Sequence, residues 1–242
     1  MTKRALLGML TPSSNTVLEP VTSAILADLP DVSAHFGRFR VTEISMNDKA
    51  LGQFEDKPFL DAADLLADAK VDVISWNGTS SGWLGFDADE KLCADIKERT
   101  GIPANTSVLA LNEIFEITGV KRFGLVTPYL DEIQEKIIPN YAKSGFECVA
   151  EQHLRDRGNF SFSEYTEEKI CELIRTVAVA KPQAITVFCT NMRGALVANA
   201  MEKELEIPIY DTVSTSVWKS MKMAGADPKR IKGWGSLFTE VD

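Results

Sequence analysis

Short apolar runs alternate with helical patterns along most of the chain. The runs ALLGML, VDVISW, RFGLVT and AITVFC are each followed by a stretch with helical spacing of its apolar positions, such as LDEIQEKIIPNYAKSG after RFGLVT. Alternation of this kind is typical of βαβ units built around a parallel sheet. The pattern therefore predicts an α/β protein.

The same landmarks recur in the two halves of the sequence. GMLTP at 8–12 returns as GLVTP at 124–128, VISWNGTS at 73–80 as AITVFCTN at 184–191, and IPANT at 102–106 as IPIYDT at 207–212. Three pairs in the same order favour a duplicated domain over chance. We predict two halves related by a pseudo-twofold axis, 1–117 and 118–220, each a parallel sheet flanked by helices. The rest, 221–242, is a C-terminal segment for which packing back on the first half is one option.

This arrangement predicts where a ligand binds. Parallel α/β sheets bind ligands outside the carboxyl ends of their strands, and ligand sites favour domain interfaces. In both halves polar loops follow the paired strands: TPSSNT, NGTSSG, TPY and CTNMRG. We expect these loops to meet in one cleft between the halves, which would be the active site.

Composition and charge narrow the choice of partners. The net charge of −9 argues against a nucleic-acid partner, because phosphate binding needs clustered Lys and Arg. No apolar run approaches the ~18 residues of a membrane span. The four cysteines form no CxxC pair and the two histidines lie in no metal-binding motif, so we predict neither a disulfide framework nor a metal site. We expect a cytoplasmic homo-oligomer that acts on a small molecule.

The loop NGTSSG raises three alternatives. It is not a phosphate-binding P-loop, since the GxxxxGK[ST] pattern is missing, and it is not a GxSxG nucleophile elbow. What remains is a set of hydroxyl and backbone N–H donors, suited to a carboxylate or to the enediolate that it becomes during reaction. Gly78, Thr79 and Ser80 are the candidates. The structural alternative is a turn that caps the next helix.

Other candidates follow strands in the same way. Cys189 ends the run AITVFC ahead of a helix, where the helix N-terminus would favour the thiolate; alternatively, it is a buried small hydrophobic residue. Asn15 suits either a helix N-cap or a carboxylate. Tyr129 takes the matching place in the second half and could donate to the same anion. Asn159, in RGNFSF, reads by itself as a turn residue.

Together these motifs resemble a known group of enzymes. PSSNT, NGTSSGWLG, TPY, GNFS and one strand-end cysteine near residue 189 resemble the aspartate/glutamate racemase superfamily, above all its branch of maleate cis-trans isomerases and arylmalonate decarboxylases. The sequence as a whole is also similar to the racemase-like proteins of ectoine utilisation. The resemblance implies two pseudo-twofold α/β domains, a site between them, no cofactor, and typically one cysteine in each half.

The resemblance also implies roles for individual residues. Asn15, Tyr129 and Asn159 correspond to carboxylate-binding residues of the maleate isomerases, and Cys189 corresponds to their second cysteine. Gly78 stands in place of the first cysteine, which puts isomerisation and two-base racemisation in doubt. Restoring a thiol by Gly78→Cys should therefore introduce racemase activity.

Arylmalonate decarboxylases resemble the chain at this point, with Gly-Thr-Ser and a single cysteine. In such an enzyme Thr79, Ser80 and Tyr129 would hold a carboxylate while Cys189 protonates the carbon. Thr190 follows the cysteine where the decarboxylase has glycine, which makes a small polar substrate a better fit than an arylmalonate.

Three hypotheses follow from these motifs. The first is a cofactor-independent carbon-acid enzyme with one catalytic thiol, acting on a small carboxylate or dicarboxylate by decarboxylase-like chemistry. The second is a maleate isomerase-like or racemase-like enzyme. The third is a carboxylate-binding protein that lost catalysis together with the first cysteine.

Overall fold

Two parallel four-stranded sheets make up the centre of the structure, a computed structural model that describes residues 4–43 and 56–242. The strands are β1 Ala5–Pro12, β2 Val32–Phe39, β3 Val73–Trp76, β4 Ala104–Thr106, β5 Arg122–Thr127, β6 Glu147–His153, β7 Ala184–Val187 and β8 Ile209–Asp211. Their orders are β2-β1-β3-β4 and β6-β5-β7-β8, so both sheets repeat one topology. The predicted α/β class with two matching sheets is confirmed.

Helices flank both sheets. They are α1 Leu18–Ile25, α2 Asp56–Asp68, α3 Ser81–Leu84, α4 Phe86–Thr100, α5 Ser107–Thr118, α6 Asp131–Lys143, α7 Glu167–Ala178, α8 Gly194–Leu205, α9 Thr212–Met223 and α10 Leu237–Glu240, with 3₁₀ turns at Phe160–Glu164 and Pro228–Arg230. The helices α4 and α5 each end at a glycine with left-handed φ, 73° at Gly101 and 68° at Gly119. Glycine stops these helices because it adopts that conformation without a Cβ clash.

The central strands are buried on both faces. Every residue of β3 and β7 is buried, as are Leu7 in β1 and Leu125 in β5. Strands covered by helices on both sides read as continuous apolar runs, which explains why VISW and AITV stand out in the sequence. The carboxyl ends of these strands carry the polar loops.

The last helix of each half lies against the other half. The helices α5 and α9 pack together, and α9 also contacts β3 and β4 of the first sheet. The hydroxyls of Ser75 in β3 and Ser216 in α9 are hydrogen-bonded at 2.7 Å. In the opposite direction the ring of Phe115 in α5 lies 5.3 Å from Phe123 in β5. This exchange joins the two halves through shared core.

The C-terminal segment contacts both halves. The guanidinium of Arg230 donates to both carboxylate oxygens of Asp31, ahead of β2, at 2.5 and 2.8 Å. The backbone N–H and hydroxyl of Ser236 donate to Glu202 in α8. None of the helices in the described ranges is long and apolar enough to cross a membrane.

Candidate active site

One cavity lies where the strand-end loops of the two halves meet. The predicted site residues that line it are Gly78, Thr79, Ser80, Tyr129, Asn159, Cys189 and Thr190. Asn15 lies beside them and donates from its side-chain amide to the Thr190 hydroxyl at 3.2 Å. The free space is about 20 Å³, close to the room that one water needs. A dicarboxylate therefore enters only if part of the wall moves.

A chain of hydrogen bonds crosses the cavity from the first half to the second. The hydroxyls of Thr79 and Tyr129 lie 2.5 Å apart, and the Tyr129 hydroxyl is hydrogen-bonded to the Cys189 sulfur. Burial raises the pKa of Tyr129 well above its usual value, so the phenol keeps its proton at neutral pH. When the Thr79 hydroxyl donates its hydrogen bond to the Tyr129 oxygen, the proton of the Tyr129 phenol points at the Cys189 sulfur.

Burial decides the protonation state of Cys189. It raises the pKa of the thiol to about 12, outweighing hydrogen bonds from the backbone N–H groups of Asn191 and Met192 and from Tyr129 that favour the thiolate. The nearby carboxyl of Asp211 raises the pKa further. The donors at the helix N-terminus reach the sulfur and favour the thiolate, as expected, but loss of water is the larger effect. The group is a neutral thiol.

The loop NGTSSG is held from both sides. The Ser107 hydroxyl donates to the Gly78 carbonyl at 2.7 Å, and the Thr190 hydroxyl donates to the Asn77 carbonyl at 2.9 Å. Ser80, the N-cap of α3, makes no side-chain capping bond. The capping alternative therefore does not explain the hydroxyls that line the cavity.

Asn15 serves the helix that follows it. Its side-chain oxygen accepts from the backbone N–H groups of Val17 and Leu18, both at 2.9 Å, while its side-chain NH₂ faces Thr190. The oxygen is thus committed to the start of α1, and only the NH₂ end is available to the cavity side.

Asn159 is brought to the site by contacts with the first half. Its side-chain NH₂ donates to the Ser14 hydroxyl at 2.9 Å, and its carbonyl accepts from the side chain of Asn191 at 2.5 Å. The Asn191 oxygen in turn accepts from the backbone N–H groups of Thr16 and Val17. Asn191 therefore ties both loops together, although it is not part of the cavity lining.

Sequence reasoning missed several residues of the wall. Trp76 and Val41 line the cavity, together with Pro12 and Trp83. No motif marks Trp76, because it reads as the last apolar residue of β3. A Cβ built on Gly78 would lie 2.0 Å from Cζ2 of Trp76. Gly78→Cys therefore requires the indole to move, since the ring fills that space.

Asp89 was also missed, because its position in DADEKL reads as an ordinary first helical turn. It lies beneath the loop, 3% exposed, and accepts from the hydroxyls of Ser81 at 2.8 Å and Thr106 at 2.5 Å. Burial raises the pKa of this carboxyl to about 6, despite the two hydroxyls. The carboxyl anchors α4 against the loop.

The remaining cysteines and histidines lie away from the cavity. Cys93, Cys148 and Cys171 do not line it, and His153 is held between the carboxylates of Asp131 and Glu151. Among residues 4–43 and 56–242, no group of three or more His, Cys, Asp or Glu could hold a metal ion.

A sequence model of the arylmalonate decarboxylase family matches residues 7–238. The chain belongs to the arylmalonate decarboxylase family. It is 23% identical to the arylmalonate decarboxylase of Bordetella bronchiseptica over 97% of this chain and 96% of that protein. It is 22% identical to the maleate isomerase of Geobacillus stearothermophilus over 92% of both.

The fold is shared with a solved member of this group. A mutant of the Nocardia farcinica maleate cis-trans isomerase, with a covalently bound succinylcysteine intermediate, superposes with a TM-score of 0.89 at 20% identity, covering 98% of this chain and 99% of that one. The predicted superfamily is confirmed. The enzyme class, a decarboxylase or isomerase, is confirmed at the level of the family.

Proposed function

We propose that the protein is a cofactor-independent decarboxylase of a small malonate-type dicarboxylate, with Cys189 as the proton donor. The observation that carries this proposal is the neutral, buried thiol in a cavity lined by hydroxyl donors. A thiol that keeps its proton is the form that a general acid needs.

In the proposed reaction, Thr79, Ser80 and Tyr129 bind the carboxylate that is retained, and Asn15, Asn159 and Thr190 support the same polar wall. The bond between the α-carbon and the second carboxylate breaks, carbon dioxide leaves, and the electron pair moves into the retained carboxylate as an enediolate. Donors already in place stabilise that charge without reorganisation.

The Cys189 thiol then passes its proton to the α-carbon, and the thiolate regains a proton from solvent. One proton is consumed for each carbon dioxide released. The contact between Tyr129 and sulfur supports this step, because a phenol donating to sulfur stabilises the transient thiolate.

The space above Gly78 favours this reaction over isomerisation or two-base racemisation. Both alternatives use a second thiol on the other face of the carbon, and the Trp76 ring occupies the place where a side chain at position 78 would project. One-thiol chemistry needs no side chain at position 78.

We expect Cys189→Ala to reduce turnover at least about 100-fold, because the substitution removes the general acid. The measurement is carbon dioxide release from a panel of malonates in deuterated water, with NMR to detect deuterium at the α-carbon. Cys171→Ala, a half-buried cysteine outside the cavity, is the matched control and should retain full activity. Turnover that survives Cys189→Ala would contradict the proposal, and conversion of maleate into fumarate by the wild type would favour the isomerase instead.

A further inference from the structure

Trp76 carries a buried hydrogen-bond donor without a partner. The residue is 1% exposed, and its indole nitrogen has no hydrogen-bond partner among the described residues. A buried donor left unpaired costs about 1–3 kcal/mol, so such a group calls for an explanation. It is placed in the wall of the active-site cavity.

The ring edge next to the indole nitrogen lies over Gly78, in the cavity wall. The atoms nearest to the position of a Cβ on Gly78 are Cζ2, Cε2 and Cη2 of Trp76, at 2.0, 2.4 and 2.7 Å. Cε2 is bonded to the indole nitrogen, so that nitrogen is adjacent to the edge that covers Gly78. That is the cavity wall formed by the first half.

Aromatic packing fixes the ring in this orientation. Its centroid lies 4.8 Å from Phe59, edge to face, and 5.2 Å from Phe39. Behind it lies a second cavity of about 190 Å³, lined by Phe59, Trp76, Ser80 and Asp89 among others. Trp76 thus lines both this cavity and the one that contains Cys189.

From this geometry we infer that Trp76 determines substrate specificity: its indole N–H donates to an oxygen that the substrate carries on the Gly78 side of the reacting carbon. This rests on the proposed function and names the substrate class, a dicarboxylate with an oxygen-bearing α-substituent. An aryl substituent there would leave the N–H unpaired. Sites built to bind a polar group reject analogues that lack it.

The direct test is the indole N–H signal of Trp76 in a ¹H–¹⁵N spectrum of the wild-type protein. The chain has four tryptophans, and Trp76→Phe assigns the signal by removing it. Hydroxymalonate is expected to shift this signal downfield at saturation, and phenylmalonate is not. No shift with hydroxymalonate, or equal shifts with both ligands, would overturn the inference.

Affinity gives an independent readout. Trp76→Phe keeps an aromatic ring at this position but removes the donor, and should weaken hydroxymalonate binding about fivefold to tenfold without weakening phenylmalonate binding. Trp218→Phe is the matched control: Trp218 is also buried with an unpartnered indole nitrogen, but lies on α9 outside the cavity, and its substitution should change neither affinity. An equal loss for both ligands in Trp76→Phe would assign the residue a packing role only.

These outcomes are separable from the fate of the proposed function. If turnover survives Cys189→Ala but hydroxymalonate still shifts the Trp76 signal, the reaction assignment fails and the recognition role stands. If turnover depends on Cys189 and the Trp76 signal never responds, the reaction assignment stands and the recognition role fails.

Discussion

At the scale of single residues, Gly78 and Trp76 must be considered as a pair. The glycine is needed because an indole edge lies where a Cβ would be, at 2.0 Å. A glycine at this position and a ring that fills the space beside it are two aspects of one arrangement, and Cys189 is the single thiol of the cavity lining.

Gly78→Cys alone should therefore destabilise the protein by about 1–3 kcal/mol, the usual cost of overpacking a filled core, and should yield no racemase. Gly78→Ala should cost about the same, because the clash begins at Cβ. In a Trp76→Ala background the cost of Gly78→Cys should fall by at least about 1 kcal/mol. Denaturant unfolding of the wild type, Gly78→Cys, Trp76→Ala and the double variant measures this difference as a coupling energy. Additive effects, or a Gly78→Cys protein with unchanged stability, would contradict this geometry.

The sequence predicted the residues around the cavity better than it predicted their bonds. Strand ends and the internal repeat brought Thr79, Tyr129 and Cys189 together, since parallel strands present their carboxyl ends at one edge. The pKa direction of Cys189 could not be read, because it depends on burial against a neighbouring half. The roles of Asn191 and Trp76 depend on partners distant in sequence, so no local pattern reveals them.

At the scale of elements, the alternation of apolar runs and helical patterns predicted the inner strands β1, β3, β5 and β7, because strands covered on both faces carry an unbroken apolar signal. The sequence did not predict that α5 and α9 each pack against the other half, since an amphipathic helix does not specify which sheet it covers. The start of α4 shows a further limit. In the sequence, Asp89 is an acidic residue in the first turn of a helix, where a carboxylate interacts favourably with the helix dipole. In the structure it is buried beneath the loop NGTSSG.

The raised pKa of Asp89 predicts how the stability of the protein depends on pH. The native state holds this proton up to about pH 6, whereas the unfolded chain releases it near 3.8. The native state thus binds more protons in this window, so the free energy of unfolding should fall as pH rises from 3.8 to 6, by at most about 3 kcal/mol from this group.

Asp89→Asn keeps an oxygen for Ser81 and Thr106 and should flatten that slope in urea titrations between pH 4 and 7. A residual slope is expected from Asp211, whose pKa burial raises to about 7. Asp87→Asn, two residues away and exposed, should leave the slope unchanged. An Asp89→Asn protein with the wild-type slope would show that Asp89 is ionised in the native state at pH 4.

At the scale of the whole molecule, both halves line the cavity that we propose as the active site. The boundary that we propose between them, near residue 117, falls at the end of α5, a helix whose Phe115 packs into the second half. The halves share core through α5 and α9 and polar contacts through Asn191, and Arg230 ties the C-terminal segment to the first half. Interfaces of this kind couple the stability of the parts they join.

Phe115→Ala tests this coupling. Removing the ring should cost about 3–5 kcal/mol, and because α5 and α9 pack together, protection against hydrogen exchange should fall in both sheets at once. Exchange measured by mass spectrometry on peptides covering β1 and β3, and on peptides covering β5 and β7, reports the two sheets separately. Leu65→Ala, whose side chain is 70% exposed, should change neither. Loss of protection confined to β5 and β7 would show two independently stable halves, and the cavity could then open by separation of the halves without unfolding. Loss of protection in both sheets makes the molecule one cooperative unit, so that substrate entry must come from smaller movements of the cavity wall.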